Sequence, residues 1–164
     1  MKLPCFGCED WLNVWENEAT LDIAQSTISS FTLEELMEIG GKTKEEFFNE
    51  LLTKKMNYGW IEGSPEFKEE VSKIYRNVKP EQILQTNGCT GANLLVMLSL
   101  IEKGDHVISM YPIYQQLCDL PKGLGAEVEK WHIKEENNWL PNLNELRKMI
   151  RPNTKMICIN NARK

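Results

Sequence analysis

The stretch from Thr86 to Leu94, TNGCTGANL, carries residue types that bind an anion at the start of a helix. Gly88 and Gly91 allow the backbone to approach a phosphate closely, and Thr90 offers a hydroxyl donor. Free amides at a helix N-terminus point outward, and the helix dipole favours negative charge there. The stretch has no lysine and no GxGxxG pattern, which excludes a Walker-type loop and a dinucleotide-binding loop. It predicts a phosphate-binding turn, with a plain helix entry as the alternative.

A second candidate, Tyr114, comes shortly after the predicted strand 106–110. Ligands of open α/β sheets bind in the crevice beyond the carboxyl ends of the strands. An aromatic ring there is able to stack on a planar ligand whose phosphate lies at Cys89 and Thr90. An aromatic residue after a strand also commonly packs in the core, so both interpretations stay open.

Cysteine and histidine give little support for a metal or redox centre. Cys5 and Cys8 form a single CxxC, but zinc needs two more ligands, and His106 and His132 are far away in the sequence. Five cysteines at scattered spacing do not suggest a disulfide framework, so we expect two incidental reduced thiols. A zinc or redox protein built on Cys5 and Cys8 is a minor alternative. The sequence therefore predicts no metal site.

The composition is typical of a globular domain. The 164 residues include 19 basic and 24 acidic side chains, so the net charge is −5, and 41% are apolar. An acidic chain without a basic cluster is a poor nucleic-acid binder. No run approaches the roughly 18 apolar residues that span a membrane, and no apolar signal core follows the N-terminus. We expect a cytoplasmic protein that binds neither nucleic acid nor a membrane.

Helix start signals position the first half of the chain. Thr32 and Thr43 each open a capping box, and Ser64 is followed by a proline at the first helical position. The first of these helices should end at Gly40-Gly41.

After Pro80 the pattern changes to strands that alternate with helices. Residues 83–85 are a possible short strand or strand end, and three later strands are predicted near 106–110, 127–133 and 155–159. The helix 92–101 is apolar nearly all round, which predicts burial. Strands joined through helices imply right-handed crossovers. The predicted fold class is α/β, a partial, mostly parallel sheet with flanking helices, preceded by a helical N-terminal segment.

Four segments in register resemble the class I/II aminotransferases, which are fold-type-I enzymes that use pyridoxal phosphate. Residues 57–67 resemble the segment before their first large-domain helix, and residues 86–93 resemble their phosphate-cup turn. Residues 104–114 contain GDHVI and PIY, which are similar to their GD-x-V and P-x-Y element. Residues 154–161 resemble the strand before their NPTG-like turn. The order and spacing agree over roughly residues 55–161.

The resemblance implies specific cofactor contacts. The turn at Gly88, with the amides of Cys89 and Thr90 and the Thr90 hydroxyl, would hold the phosphate of pyridoxal 5′-phosphate. Tyr114 would lie against the pyridine ring. Tyr58 would reach the phosphate of the neighbouring subunit, because such enzymes share active sites across a homodimer. Cys89 departs from the small residue usual at its position, but its backbone amide is still a donor.

The resemblance also implies a domain organisation and a reaction. Residues 1–55 would form an N-terminal arm or small-domain helical segment, and residues 56–164 an incomplete large domain that binds the cofactor. The expected reaction is amino group transfer between an amino acid and a 2-oxo acid. Alternatives are a lyase or cyclising enzyme of the same fold, or a non-catalytic remnant that binds phosphate or cofactor.

The family's later catalytic elements have no counterpart in this sequence. They are the aspartate at the ring nitrogen, the lysine that anchors the cofactor aldehyde, and the arginine that binds the substrate carboxylate. In the family this lysine also carries the proton during transfer. We therefore assign no catalytic residue. We expect the 164-residue chain to be a truncated form that is inactive alone and poorly soluble.

Overall fold

The computed structural model describes residues 2–24 and 28–161. The chain divides into two units, one made of residues 1–20 and 86–164, the other of residues 21–85. The predicted boundary between an arm and a large domain at residues 55/56 stays a prediction. Residues 162–164, which follow the segment that resembles the strand before the NPTG-like turn, lie outside the described residues.

The unit of residues 21–85 contains three helices that begin at the predicted caps: α2 (Leu33–Ile39), α3 (Lys44–Thr53) and α4 (Pro65–Ser72). A short 3-10 helix follows at Pro80–Gln82. The hydroxyls of Thr32 and Thr43 each accept the amide of the third helical residue, whose glutamate binds back to the cap amide. Both capping boxes are confirmed, as is the cap at Ser64, which accepts the Phe67 amide at 3.1 Å.

We expect Thr43→Ala to lower the free energy of unfolding by about 1 kcal/mol, because the first turn of α3 loses its cap. Hydrogen bonds from the backbone amide and hydroxyl of Thr43 lower the pKa of Glu46. The ionised Glu46 carboxylate therefore contributes its full stabilisation at pH values above its ordinary pKa. This stabilisation is lost as the pH falls through the lowered pKa of the folded state. Urea unfolding monitored by circular dichroism measures the loss.

Thr53→Ala, in the last turn of α3, is the matched control for the cap. The Thr53 hydroxyl donates only to the carbonyls of Asn49 and Glu50, and alanine is the better helix former. This variant should be neutral or slightly stabilising. Equal losses in both variants would contradict the cap assignment.

The other unit begins with helix α1 (Gly7–Trp15) and continues as a regular α/β succession. Its further elements are α5 (Gly88–Leu100), β1 (His106–Tyr111), α6 (Gln116–Gly123), β2 (Glu127–His132), α7 (Leu143–Met149) and β3 (Thr154–Cys158), with a 3-10 turn at Glu135–Asn137. The strands form one parallel sheet in the order β2-β1-β3, which confirms the predicted fold class. The Tyr111–Pro112 peptide bond is cis.

Each face of β1 contributes to a different core. On one face Val107 packs with Met97 of α5, Leu120 of α6 and Cys158 of β3. On the other face Ile108 packs with Trp131 and other buried residues, and α7 covers them through Leu146 and Met149. The central strand is therefore covered by helices on both sides, as parallel sheets require.

Two thiols belong to the sheet core. Burial raises the pKa of Cys118 and of Cys158. Both groups therefore stay neutral and pack as small apolar side chains.

A polar network joins the three strands at the start of β1. The fully buried His106 has Nδ1 at 2.8 Å from the Thr154 hydroxyl of β3 and Nε2 at 3.1 Å from the Glu129 carboxylate of β2. Arg151 donates to Glu129 at 2.7 Å and to Glu127 at 2.8 Å. Both ring nitrogens are thus satisfied, which explains how a histidine is tolerated at zero exposure.

Two sequence predictions about the second half are wrong. Residues 83–85 are not a strand; the amide of Gln85 donates a single hydrogen bond to the carbonyl of Glu62. The apolar helix α5 is not buried as a whole, because in α5 only Met97 is buried, while five other apolar residues are exposed: Leu94, Leu95, Val96, Leu98 and Leu100. An apolar sequence indicates what a helix is able to bury, but the burial itself requires neighbouring elements.

Candidate functional site

The first turn of α5 presents backbone amides that its N-cap residue leaves free. Asn87 occupies the N-cap position, but its side chain makes no capping hydrogen bond, and the first turn carries no acidic residue. Gly88, Cys89 and Thr90 are exposed. Amides of this kind attract an anion, since the helix dipole places positive potential at this end.

Gly88 gives the turn its shape and leaves space above it. Its φ of +72° lies in the left-handed region, and a Cβ added there would meet nothing within 4 Å. Thr86 holds the turn through two hydrogen bonds. Its hydroxyl donates to the Gly88 carbonyl at 3.0 Å, and its carbonyl accepts the Gly88 amide at 3.0 Å. The result is a preformed, open cradle at the helix start.

Tyr114 borders this cradle. It follows the carboxyl end of β1, and its hydroxyl lies 3.5 Å from the hydroxyl of Thr90. Of the five residues predicted to bind the cofactor, the structure brings four together: Gly88, Cys89, Thr90 and Tyr114. The site lies beyond a strand end, where α/β sheets usually bind ligands.

Gln116 connects α6 to the cradle and was missed by the sequence analysis. Its side-chain amide donates to the Thr90 carbonyl at 3.0 Å, and its side-chain oxygen accepts from Asn93 at 3.1 Å. These two bonds fix the start of α6 against the first two turns of α5. A polar side chain just after a P-x-Y element was the only signal in the sequence.

The N-terminal segment also reaches the site. The Phe6 and Tyr114 rings pack with their centroids 4.9 Å apart, and the Tyr114 hydroxyl donates to the Glu9 carboxylate at 3.4 Å. Gln115 binds the same segment, since it donates to the Cys5 carbonyl at 2.8 Å and accepts the Gly7 amide at 3.1 Å. None of these contacts was predicted from the sequence.

The remaining candidates are Tyr58 and two cysteines. Tyr58 belongs to the unit of residues 21–85, where its side chain is fully exposed. Cys5 and Cys8 are exposed free thiols. Within residues 2–24 and 28–161, no group of three or more His, Cys, Asp or Glu side chains is arranged to hold a metal ion. No helix in this part of the chain is long and apolar enough to cross a membrane.

The geometry suits a ligand that carries a phosphate beside a planar ring. Uncapped amides at Cys89 and Thr90, the Thr90 hydroxyl and the open space over Gly88 fit the phosphate. The half-buried ring of Tyr114 is close enough to border the planar part. The residues present therefore offer donors for the phosphate and an aromatic ring beside them.

Comparisons with known proteins agree on one protein family. A model of the family described as aminotransferase class I and II matches residues 16–163. Aspartate aminotransferase from Pyrococcus horikoshii is 33% identical over 115 residues, which is 64% of this chain and 29% of that protein. Capreomycidine synthase from Streptomyces vinaceus is 26% identical over 163 residues, which is 96% of this chain and 40% of that protein.

A solved structure matches over nearly the whole chain. A PLP-dependent aminotransferase from Streptococcus suis 89-1591 is 67% identical, with a TM-score of 0.93, and the match covers 98% of this chain and 43% of that one. The chain therefore spans less than half the length of each of these three relatives.

Proposed function

The chain belongs to the class I and II aminotransferase family, and we propose that it supplies the phosphate cradle and ring wall of a pyridoxal-phosphate-dependent aminotransferase. The observation that carries this proposal is the open first turn of α5 with the Tyr114 hydroxyl 3.5 Å from Thr90. The Streptococcus suis relative is a PLP-dependent aminotransferase, which supports the same cofactor for this chain.

Each residue of the cradle has a distinct task in this proposal. The amides of Cys89 and Thr90 and the Thr90 hydroxyl bind the cofactor phosphate, and Gly88 keeps the approach open. Tyr114 orients the ring, and Gln116 keeps the start of α6 in register with α5. When bound, pyridoxal phosphate supplies an electron sink for chemistry at the amino acid Cα. These residues bind and orient, and no proton-transfer role is assigned to them.

The proposed substrates are an amino acid and a 2-oxo acid, between which the amino group moves. The names of the aspartate aminotransferase relatives support this class of reaction. We further propose a homodimer in which Tyr58 of one copy contributes to the phosphate site of the other. The complete exposure of the Tyr58 side chain is compatible with that role.

Titration with pyridoxamine 5′-phosphate and with inorganic phosphate tests the cradle. Pyridoxamine phosphate has no aldehyde, so surface lysines cannot trap it covalently. We expect saturable binding of both ligands, and Thr90→Ala should weaken both about tenfold, because one hydrogen bond to a charged group is lost. Isothermal titration calorimetry measures the affinities.

Thr90→Ser is the matched control, since it keeps the hydroxyl and removes only a methyl group. It should bind both ligands within about twofold of the unmodified chain. Unchanged affinity in Thr90→Ala, or no saturable binding by the unmodified chain, would refute the cradle assignment.

A cyclising or lyase enzyme of the same family is the second candidate. The relative named capreomycidine synthase, which matches 96% of this chain, favours keeping it. Product analysis of the whole protein with an amino acid and an acceptor 2-oxo acid separates the candidates. Formation of a 2-oxo acid with stoichiometric amino group transfer supports the aminotransferase, whereas an eliminated or cyclised product supports the alternative.

A further inference from the structure

The contacts of residues 5–9 with the loop before α6 suggest a role for the N-terminal segment, which we call the clasp. We propose that Phe6 of the clasp and Gln115 of the loop are positioning residues that fix the ring of Tyr114 for stacking on the cofactor. This inference rests on the proposed function, because it gives Tyr114 the task of orienting the cofactor ring.

Gln115 fastens the clasp to the loop. Its side-chain amide donates to the Cys5 carbonyl and to the Asp119 carboxylate, both at 2.8 Å, and its oxygen accepts the Gly7 amide at 3.1 Å. The side chain is half-buried, both of its amide hydrogens donate, and its oxygen accepts one hydrogen bond. The bonds to Cys5 and Gly7 join residues 108 to 110 positions apart, so they hold two separate parts of the chain together.

Phe6 lies between these two anchor points in the sequence. Its half-buried ring packs against Tyr114 at a centroid distance of 4.9 Å and a tilt of 50°. Aromatic pairs at this separation attract one another and favour a tilted geometry. The two bonds of Gln115 therefore place Phe6 where it limits the rotation of the neighbouring Tyr114 ring.

The far end of Tyr114 is held as well. Its hydroxyl lies 3.4 Å from the Glu9 carboxylate and 3.5 Å from the Thr90 hydroxyl. Glu9 belongs to the first turn of α1, which starts at Gly7 directly after Phe6. The clasp thus contacts both the ring and the hydroxyl of Tyr114, whereas its described residues make no hydrogen bond to the amides at Cys89 and Thr90.

This separation of contacts gives a selective test. Phe6→Leu keeps an apolar side chain and removes the ring. We expect it to weaken pyridoxamine 5′-phosphate about three- to tenfold and to leave inorganic phosphate within about twofold. Phe6→Tyr, which keeps the ring, should restore the affinity. Phe48→Leu, an aromatic-to-leucine change in α3, is the control and should bind both ligands normally.

A spectroscopic readout distinguishes positioning from general support of the fold. A pyridine ring held in one orientation acquires circular dichroism in its absorption band, and this signal per bound ligand should fall in Phe6→Leu and in Gln115→Leu. The affinity loss in the double variant should not exceed the larger of the two single-variant losses, because both residues act through Tyr114. Additive affinity losses would contradict the inference that both residues act through Tyr114.

The outcomes separate the two proposals. If Phe6→Leu and Gln115→Leu leave pyridoxamine phosphate affinity and its circular dichroism unchanged while Thr90→Ala weakens binding, the clasp inference is wrong and the cradle stands. If Phe6→Leu weakens both ligands equally, the clasp supports the turn rather than the ring, and the inference is again wrong. If the unmodified chain binds neither ligand, both proposals fall.

Discussion

Gly88→Asp should lower the affinity for inorganic phosphate and for pyridoxamine phosphate by about ten- to a hundredfold. The substitution adds a carboxylate at the first residue of α5, where an added Cβ meets nothing within 4 Å and the side chain of the N-cap residue leaves the following amides uncapped. Two like charges about 4 Å apart repel by roughly 1 kcal/mol in water and about 4 kcal/mol near a protein surface. The new carboxylate also competes for the amides that the phosphate would use. Calorimetric titration measures both affinities.

Gly104→Asp is the matched control for this experiment. Gly104 also has a left-handed φ, +94°, with open space at its Cβ position, but it precedes the amino end of β1 and lies outside the cradle. Both variants should lose about 1 kcal/mol of stability, because an L residue is strained at positive φ. Only the change at Gly88 should reduce ligand affinity.

A second variant at the same position isolates the charge. Gly88→Asn has the shape of the aspartate without its negative charge, and asparagine also tolerates the left-handed region. It should lose much less affinity than Gly88→Asp. Equal affinities of Gly88→Asp and the unmodified chain would exclude this turn as the phosphate site.

Ile108→Ala should destabilise the α/β unit by about 3–4 kcal/mol, which is the largest stability effect that we expect. Ile108 lies on the central strand with no exposed surface and packs with Met110, Trp131 and Ile133. Its truncation removes buried methyl groups and leaves a cavity that the sheet backbone cannot close. Urea unfolding followed by circular dichroism measures the change.

The cross-strand partner of Ile108 offers the control. Ile157 is paired with Ile108 in the β1–β3 register but is 41% exposed. Ile157→Ala should cost less than half as much, because little packed volume is lost. If Ile108→Ala does not fold, Ile108→Val should still cost about 1 kcal/mol. A similar loss at both positions would contradict the described core.

Local signals make much of the fold predictable. Thr32, Thr43 and Ser64 act through hydrogen bonds to amides three residues away, so their sequence context is enough to predict a helix start. The strands beginning at His106 and Glu127 are predictable because apolar β-formers stand between helix stops and turns. The segment 83–85 fails as a strand because a strand needs a neighbour to pair with, which its own residues do not specify.

In the candidate site, too, local motifs are predictable from the sequence and contacts between distant residues are not. The turn around Gly88 and Thr90 is a local motif, and the resemblance to a known family placed Tyr114 near it. The roles of Phe6 and Gln115 depend on contacts between residues more than 100 positions apart. Neither residue type suggests such a contact, and one sequence contains no signal that pairs them.

Three successive residues, from the end of the β1–α6 connection to the start of α6, contact two other parts of the chain: the first turn of α5 and the N-terminal segment. Tyr114 faces Thr90 and Phe6, Gln115 holds the N-terminal segment, and Gln116 binds the first turn of α5. Adding or deleting one residue before Tyr114 would shift all three side chains by one position. All of these contacts would then be lost together. The three contacts together therefore constrain the length of this connection.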